Sequence, residues 1–498
     1  MNAERKAKMK KEQFRNLFVI NVIVLLCVYS SMLFMHFSID SYGLYFGIDE
    51  DTALKAGRLL FYLFYLLCER INFNPVKCQI LLIILFITFS AYVLTSLVRS
   101  FALYFEKRSN IVFLSLECGI LLGFVNVFYF EWFLYPEMTL IYGVSMLFLL
   151  LAFETMQRKN FGALFVSSSL LFLGLNCYQA IFPIYIILTV TSVLLNHNLI
   201  FSKDTAKAVG KIMLAAGIAA ILQLLELKVL RSFGYVRGDF IGDSENIIVP
   251  NIVEIIREQI PLWYSTFGFL PKMVVVVFMC IVLTFIIVQL VGSSLKIRDI
   301  IFDGLVFLGC YISIFILGIF NSTIWLAPRT IPGFFFFLSM LLLISLALNK
   351  LSPQGEKFFL GVIIVFLLVN FIQIQDIARN HYMSLVLNEQ QAICVEEQIK
   401  NYEEKSGAKI NNIAVRNDKN PTWGYKNIKY NRFDTNMRAF IVSWTAVPCL
   451  NYYTGNSYKQ VEFPDEIYYK FGENCDWDEL NLSEQMVFIN DTAYLVNY

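Results

Sequence analysis

Long apolar runs joined by short polar connections fill the first 375 residues of the chain. They lie near 16–37, 76–98, 111–130, 138–153, 161–177, 181–196, 210–227, 273–292, 300–320, 333–349 and 357–374. Each approaches the roughly 20 residues that cross a bilayer, which predicts about eleven transmembrane helices. After Gln375 the pattern changes. Apolar residues recur at helical spacing from 384 to 404, and short alternating stretches follow at Ile413-Ala414-Val415, Met486-Val487-Phe488-Ile489 and Ala493-Tyr494-Leu495-Val496. The pattern predicts an all-α polytopic membrane domain over 1–375 and a small α/β domain over 376–498. Gly57 to Asn72 is apolar but short for a span, and it reads as an amphipathic helix lying on the outer membrane surface.

Composition agrees with this division. The chain is 57% hydrophobic and only 16% charged, where soluble domains carry about 25% charge; a soluble enzyme with one anchor is excluded. A net charge of +1 gives no footing for nucleic acid. The ten cysteines form no CxxC pair, which argues against structural zinc. Cys394, Cys449 and Cys475 in the tail are odd in number, and no disulfide is assigned. The first run has no small-residue cleavage site after it and reads as a signal anchor.

Lys and Arg collect at the N-terminus and in alternate connections: Arg99, Lys107 and Arg108; Arg158 and Lys159; Lys203, Lys207 and Lys211; Lys296 and Arg298; Lys350 and Lys357. The positive-inside rule puts these in the cytoplasm. The loop 38–75, the turn 131–137, the loop 228–272, the turn 321–332 and the tail then face outside.

The candidate chemistry sits in those outer connections. Asp40 closes the first apolar run, where an ionisable group costs free energy unless it is used or paired; it suits a general base, and equally a cap on the next helix. Asp49, Glu50 and Asp51 follow, as candidates for a divalent metal (Mg or Mn) or for substrate, or as a solvated face. Arg58 and Arg329 could each hold a phosphate through paired N–H donors, or anchor at the interface. Glu131 and Glu137 bracket a turn containing Trp132 and Tyr135, a combination that suits a sugar ring. Tyr178 and Gln179 interrupt two apolar runs, as substrate ligands or as helix caps. Lys228, Arg231 and Arg237 make a further basic patch. Glu117 and Glu226 lie inside apolar runs, where pairing with neighbouring helices is expected.

Asp40, Gly57-Arg58, Glu131, Pro136-Glu137, Tyr178-Gln179 and Pro328-Arg329 together resemble the Gtr-type glucosyltransferases, the bacterial and phage serotype-converting enzymes that decorate O-antigen. The closing segment, from Cys475-Asp476-Trp477-Asp478 through Asp491-Thr492-Ala493-Tyr494, is similar to the tails of bacterial members. The resemblance implies a GT-C architecture in the bacterial cytoplasmic (inner) membrane, a polyprenyl-phosphate-sugar donor and a surface polysaccharide acceptor. It maps the catalytic acid onto Asp40, with a second acid expected from Asp49 or Glu50. A flippase or transporter would instead place essential charges near mid-membrane, at Glu117 or Glu226. An O-antigen polymerase or ligase would lean on exterior arginines.

Overall fold

The computed structural model describes residues 11–47, 50–105, 109–158, 160–235, 247–293, 295–320, 324–348, 352–417, 428–430, 432–433, 435–473 and 481–497; side chains at 50–52 and 497 are excepted. The chain opens with α1 (Lys11–Tyr29), α2 (Ser41–Phe46), α3 (Glu50–Lys55) and α4 (Leu59–Arg70). Then come α5 (Gln79–Ala102), α6 (Asn110–Leu121), the single turn α7 (Val127–Phe130), α8 (Thr139–Met156), α9 (Gly162–Cys177) and α10 (Ile181–Asn196). The next group is α11 (Lys203–Ser232), α12 (Ile248–Ser265), α13 (Lys272–Val291), α14 (Ile297–Ser313), α15 (Ile316–Ile319), α16 (Gly333–Ala347) and α17 (Pro353–Ser406).

A helix lies on every predicted apolar run. Among the described residues six of them are long and apolar enough to cross a membrane: Lys11–Met32, Gln79–Ala102, Pro136–Met156, Lys203–Ser232, Lys272–Val291 and Pro353–Ser406. α6, α9, α10 and α16 are apolar but shorter, and α14 carries Arg298, Asp299 and Asp303. Their buried faces merge into one core running from α1 to α17. α4 buries Phe61, Tyr65 and Cys68 and exposes Leu59, Leu63 and Leu67, the amphipathic pattern expected of it.

Three expectations need correction. The predicted span 111–130 breaks at Leu121: at Gly123 a Cβ would meet the Phe336 ring at 2.7 Å, and Asn126 then caps α7 by accepting from Phe128 and Tyr129 N–H. The described part of the loop 228–272 is largely helical, since α11 runs on to Ser232 and α12 follows with Asn251, Ile255 and Leu262 turned inward. The helix expected over 384–404 is present but extends further, as the far half of α17, whose 54 residues cross the expected boundary at 375 unbroken. Ser352 caps its start on Gly355 N–H, Pro353 opens it, and Gly407 at φ +70° ends it.

The tail adds β1 (Asn412–Asn417), α18 (Ser443–Thr454), β2 (Lys459–Gln460), α19 (Asp465–Phe471), α20 (Leu482–Gln485), β3 (Met486–Ile489) and β4 (Thr492–Asn497). The sheet order is β2-β1-β4-β3, with β1 parallel to β2 and β4 and the hairpin β3–β4 antiparallel. Its core takes in Leu385, Val395 and Ile399 of α17, and also Phe37, Tyr42 and Val76 from the other end of the chain.

Connections sort to two ends of the bundle. At one, Ser109 Oγ donates to Glu356 (2.6 Å), Lys211 reaches the Arg158 and Asn160 carbonyls, and Phe201 N–H donates to Asp299 (3.1 Å). At the other, Arg329 meets Glu131, Asn251 donates to the Ile319 carbonyl (3.0 Å), and Arg432 of the tail pairs with Glu258 (2.6 Å).

Candidate active site

The turn that bears Glu131 and Glu137 is not a surface turn. Residues 122–139 are buried throughout, because the loop 33–46, the turn 324–332 and the tail close over them. His36 Nε2 lies 2.9 Å from the Phe133 carbonyl and fastens the first loop there. A carboxylate carried into such surroundings must be given donors, since an uncompensated buried charge costs several kcal/mol.

Both acids are supplied. Glu131, 1% exposed, accepts the Arg329 backbone N–H on Oε2 (2.5 Å), and Arg329 Nη1 lies 3.4 Å from Oε1. Its Oε1 also accepts the Thr435 hydroxyl of the tail at 2.8 Å. Glu137 accepts from Ser38 Oγ (3.2 Å) and Ser41 Oγ (2.7 Å). Ser38 Oγ in turn receives the backbone N–H of Asp40 and of Ser41, so one knot of hydroxyls holds Asp40 beside Glu137. Asp40 stands at the head of α2 and is exposed, yet its carboxylate makes no capping bond. The capping role is therefore not what keeps it there. The charge of Asp40 bears on Glu137; Asp49 and the side chains of Glu50 and Asp51 lie outside the described residues.

Arg58 is placed by its neighbour. Gly57 has φ +64°, and a Cβ there would lie 2.2 Å from Leu227 Cδ2, so only glycine lets the chain turn against α11. Arg58 Nε then donates to Gln179 Oε1 (2.9 Å), and its guanidinium lies 4.9 Å from the Tyr178 ring. Gln179 donates back to the Ala56 carbonyl (3.1 Å) and Gln223 to that of Gly57 (2.7 Å). Asn176 accepts from Leu59 N–H and donates to Glu226 (2.8 Å). Glu226 thus pairs with a neighbouring helix, as expected of it.

Arg329 is gripped through its backbone. Its carbonyl accepts from Trp132 Nε1 (3.0 Å) and Tyr178 Oη (3.1 Å), while Glu131 holds its N–H. The guanidinium lies 4.5 Å from the Tyr135 ring. Tyr178 is a shared post: its ring packs against Trp132 and Tyr142, and both Arg58 and Arg329 act on it. Tyr65 feels Glu137, Asp40 and Arg58 together. Burial raises both phenols, Tyr65 further through the two acids, whereas the arginines pull Tyr178 partly back. Both stay neutral donors at physiological pH.

The structure therefore joins all seven predicted residues. Asp40, Glu137 and Arg58 all lie close enough to act on Tyr65, Arg58 and Arg329 both act on Tyr178, and Glu131 braces Arg329. Sequence reasoning missed Ser38, Tyr65, Tyr142 and Thr435, which are uncharged and carry no motif. Lys228 and Arg231 sit exposed on the last turns of α11, and Arg237 is not among the described residues. No three His, Cys, Asp or Glu side chains converge on a metal site among the described residues. The nine described cysteines are free; Cys475 lies outside them.

A family model described as Glucosyl transferase GtrII matches residues 29–346. Neither the curated proteins nor the solved structures give a match.

Proposed function

The chain belongs to the glucosyl transferase GtrII family, and from that premise we propose that it moves glucose from a polyprenyl-phosphate donor onto a hydroxyl of a surface polysaccharide such as O-antigen. Family membership implies glucosyltransferase activity, and the apolar helices make it a membrane protein. In the proposed reaction Asp40 takes the proton of the acceptor hydroxyl. The acceptor oxygen attacks the anomeric carbon, the bond from that carbon to the phosphate oxygen breaks, and polyprenyl phosphate leaves with the electron pair. Arg58 and Arg329 steady the phosphate charge. Glu137 holds the Asp40 loop through Ser38 and Ser41, Glu131 braces Arg329, and Tyr178 and Gln179 keep the two arginines apart at a fixed spacing.

The observation that carries this reading is one cluster in which Asp40 and Glu137 lie with Arg58 about Tyr65, and Arg58 and Arg329 both bear on Tyr178. The apolar outer faces of α4 and α12, which expose Leu63, Leu67, Ile256 and Ile260, support a path for the isoprenoid chain. The lysine-rich connections lie at the opposite end, so the positive-inside rule favours eleven crossings, a cytoplasmic N-terminus and a site on the outer side of the bacterial cytoplasmic membrane.

The test uses membranes supplied with labelled polyprenyl-phosphoglucose, with label followed into surface polysaccharide, with and without chelator. Asp40→Asn should abolish transfer at unchanged protein level. Normal transfer by that variant would dispose of the base assignment. Loss of transfer on chelation alone would bring the acids at 49–51 into the site as metal ligands.

A further inference from the structure

We infer that the tail completes this site through two hydroxyls: Thr435 is a positioning residue that acts through Glu131 on Arg329, and Thr445 one that acts through the Ile39 carbonyl on Asp40. The inference rests on the base and phosphate roles proposed above. Both threonines lie beyond residue 346, outside the stretch the family model matches.

The two contacts differ in kind. Thr435 Oγ1 donates to Glu131 Oε1 (2.8 Å), the oxygen that also faces Arg329 Nη1 at 3.4 Å. Because the hydroxyl shares Oε1, the guanidinium keeps a long 3.4 Å contact to the carboxylate and stays over Tyr135 instead of closing on it. Remove it, and a buried carboxylate oxygen loses a donor that Arg329 Nη1, 3.4 Å away, is placed to replace. The tail segment bearing Thr435 is itself clamped to the bundle. Arg432 pairs with Glu258 (2.6 Å) and lies over Phe267, while the Phe433 ring meets Phe267 and Trp325.

Thr445, in the first turn of α18, donates to the Ile39 carbonyl (2.9 Å), in the peptide that leads into Asp40. Around it the loop is held as part of the tail core. Phe37 stacks on Tyr42 (4.6 Å between rings) and meets Tyr452 (4.4 Å), and Tyr42 Oη bonds Tyr453 Oη (3.1 Å). Ser38 fixes the peptide from within the loop and Thr445 fixes it from the tail, leaving the Asp40 side chain toward solvent.

A merely structural role would lower stability and shift all kinetic constants together. The positioning roles split them. In the full-length protein in detergent, with short-chain polyprenyl phosphate as the binding probe, Thr435→Val should weaken that binding and raise the donor KM by the same factor. The factor should be roughly ten- to a hundredfold, the loss of one charge-assisted hydrogen bond. Thr445→Val should leave probe binding unchanged and lower kcat by about tenfold. Thr435→Ser and Thr445→Ser should each restore the lost constant; alanine variants read the same split if valine does not fit. The inference is overturned if both variants move both constants together, or if neither moves any. Failure of the wild-type protein to bind polyprenyl phosphate would instead bring down the donor reading, and the Thr435 role with it.

Discussion

Arg329 shows how a single residue is readied before it meets anything. Its N–H is held by Glu131 and its carbonyl by Trp132 and Tyr178, so the backbone is spent on position and the guanidinium is aimed by the Tyr135 ring. Lysine at 329 would keep the backbone bonds and the charge but lose the planar fork. Arg329→Lys should therefore raise the donor KM about tenfold with little change in the acceptor KM, read by initial-rate kinetics. Gly57 is the opposite case, a residue that works by having no side chain. Gly57→Ala should cost about 1–2 kcal/mol from its left-handed φ alone, beyond the collision with Leu227. Leu227→Ala in the same chain should recover the collision and not the φ strain, so a melting curve of the pair would fall between the parents. A pair melting no higher than Gly57→Ala would show that Leu227 is not the obstacle. At this scale the charged members of the site are readable in the sequence, because an ionic group beside an apolar run has to be explained. Thr435 is not: a neutral hydroxyl 304 residues from its partner leaves no local trace.

Among the elements, α17 carries the argument. At 1.5 Å per residue its 54 residues extend about 81 Å, more than twice a bilayer's apolar thickness. Hydropathy sees the apolar half and helical spacing sees the polar half, but neither reveals that the junction at Gln375 to His381 stays helical. Those junction residues are polar because they meet protein, not because the helix stops. Gln375 donates to the Val28 carbonyl (2.7 Å) and Asn380 accepts from Lys429 N–H (2.8 Å). An unbroken helix transmits rotation, at about 100° per residue. Two alanines inserted after Gln375 should swing the tail by roughly 200°, withdraw Thr435 from Glu131 and reduce transfer at least tenfold while membrane content is unchanged. Retained transfer in labelled-donor assays would mean the tail finds its seat without α17. The sheet, by contrast, was readable in outline, since three of its strands coincide with the alternating stretches after residue 410.

Across the whole molecule the arrangement is polar in the sense of having two unlike ends, and that polarity is the part most exposed in composition. Lysine and arginine alternate between connections, and contacts such as Lys211 to Asn160 and Ser109 to Glu356 gather the rich connections at one end. The merger of the tail with the first loop is the part composition conceals. Tyr42 and Tyr453 meet across 411 residues, and such a contact is settled by packing and not by any periodicity. Sidedness can be tested without assuming a reaction. Gly47 and Gly162 both leave open space around a new Cβ and belong to opposite ends. In a background with native cysteines replaced, a membrane-impermeant maleimide should label Gly47→Cys in intact cells. Gly162→Cys should react only after permeabilisation. In the eleven-crossing arrangement three crossings separate the two positions, an odd number, so they face opposite sides with α4 along the surface; were α4 a crossing, four would separate them and Gly162 would face outward with Gly47. Labelling of both in intact cells would therefore turn α4 into a span, and labelling of Gly162→Cys alone would place Asp40 and both arginines in the cytosol, away from any acceptor on the cell surface.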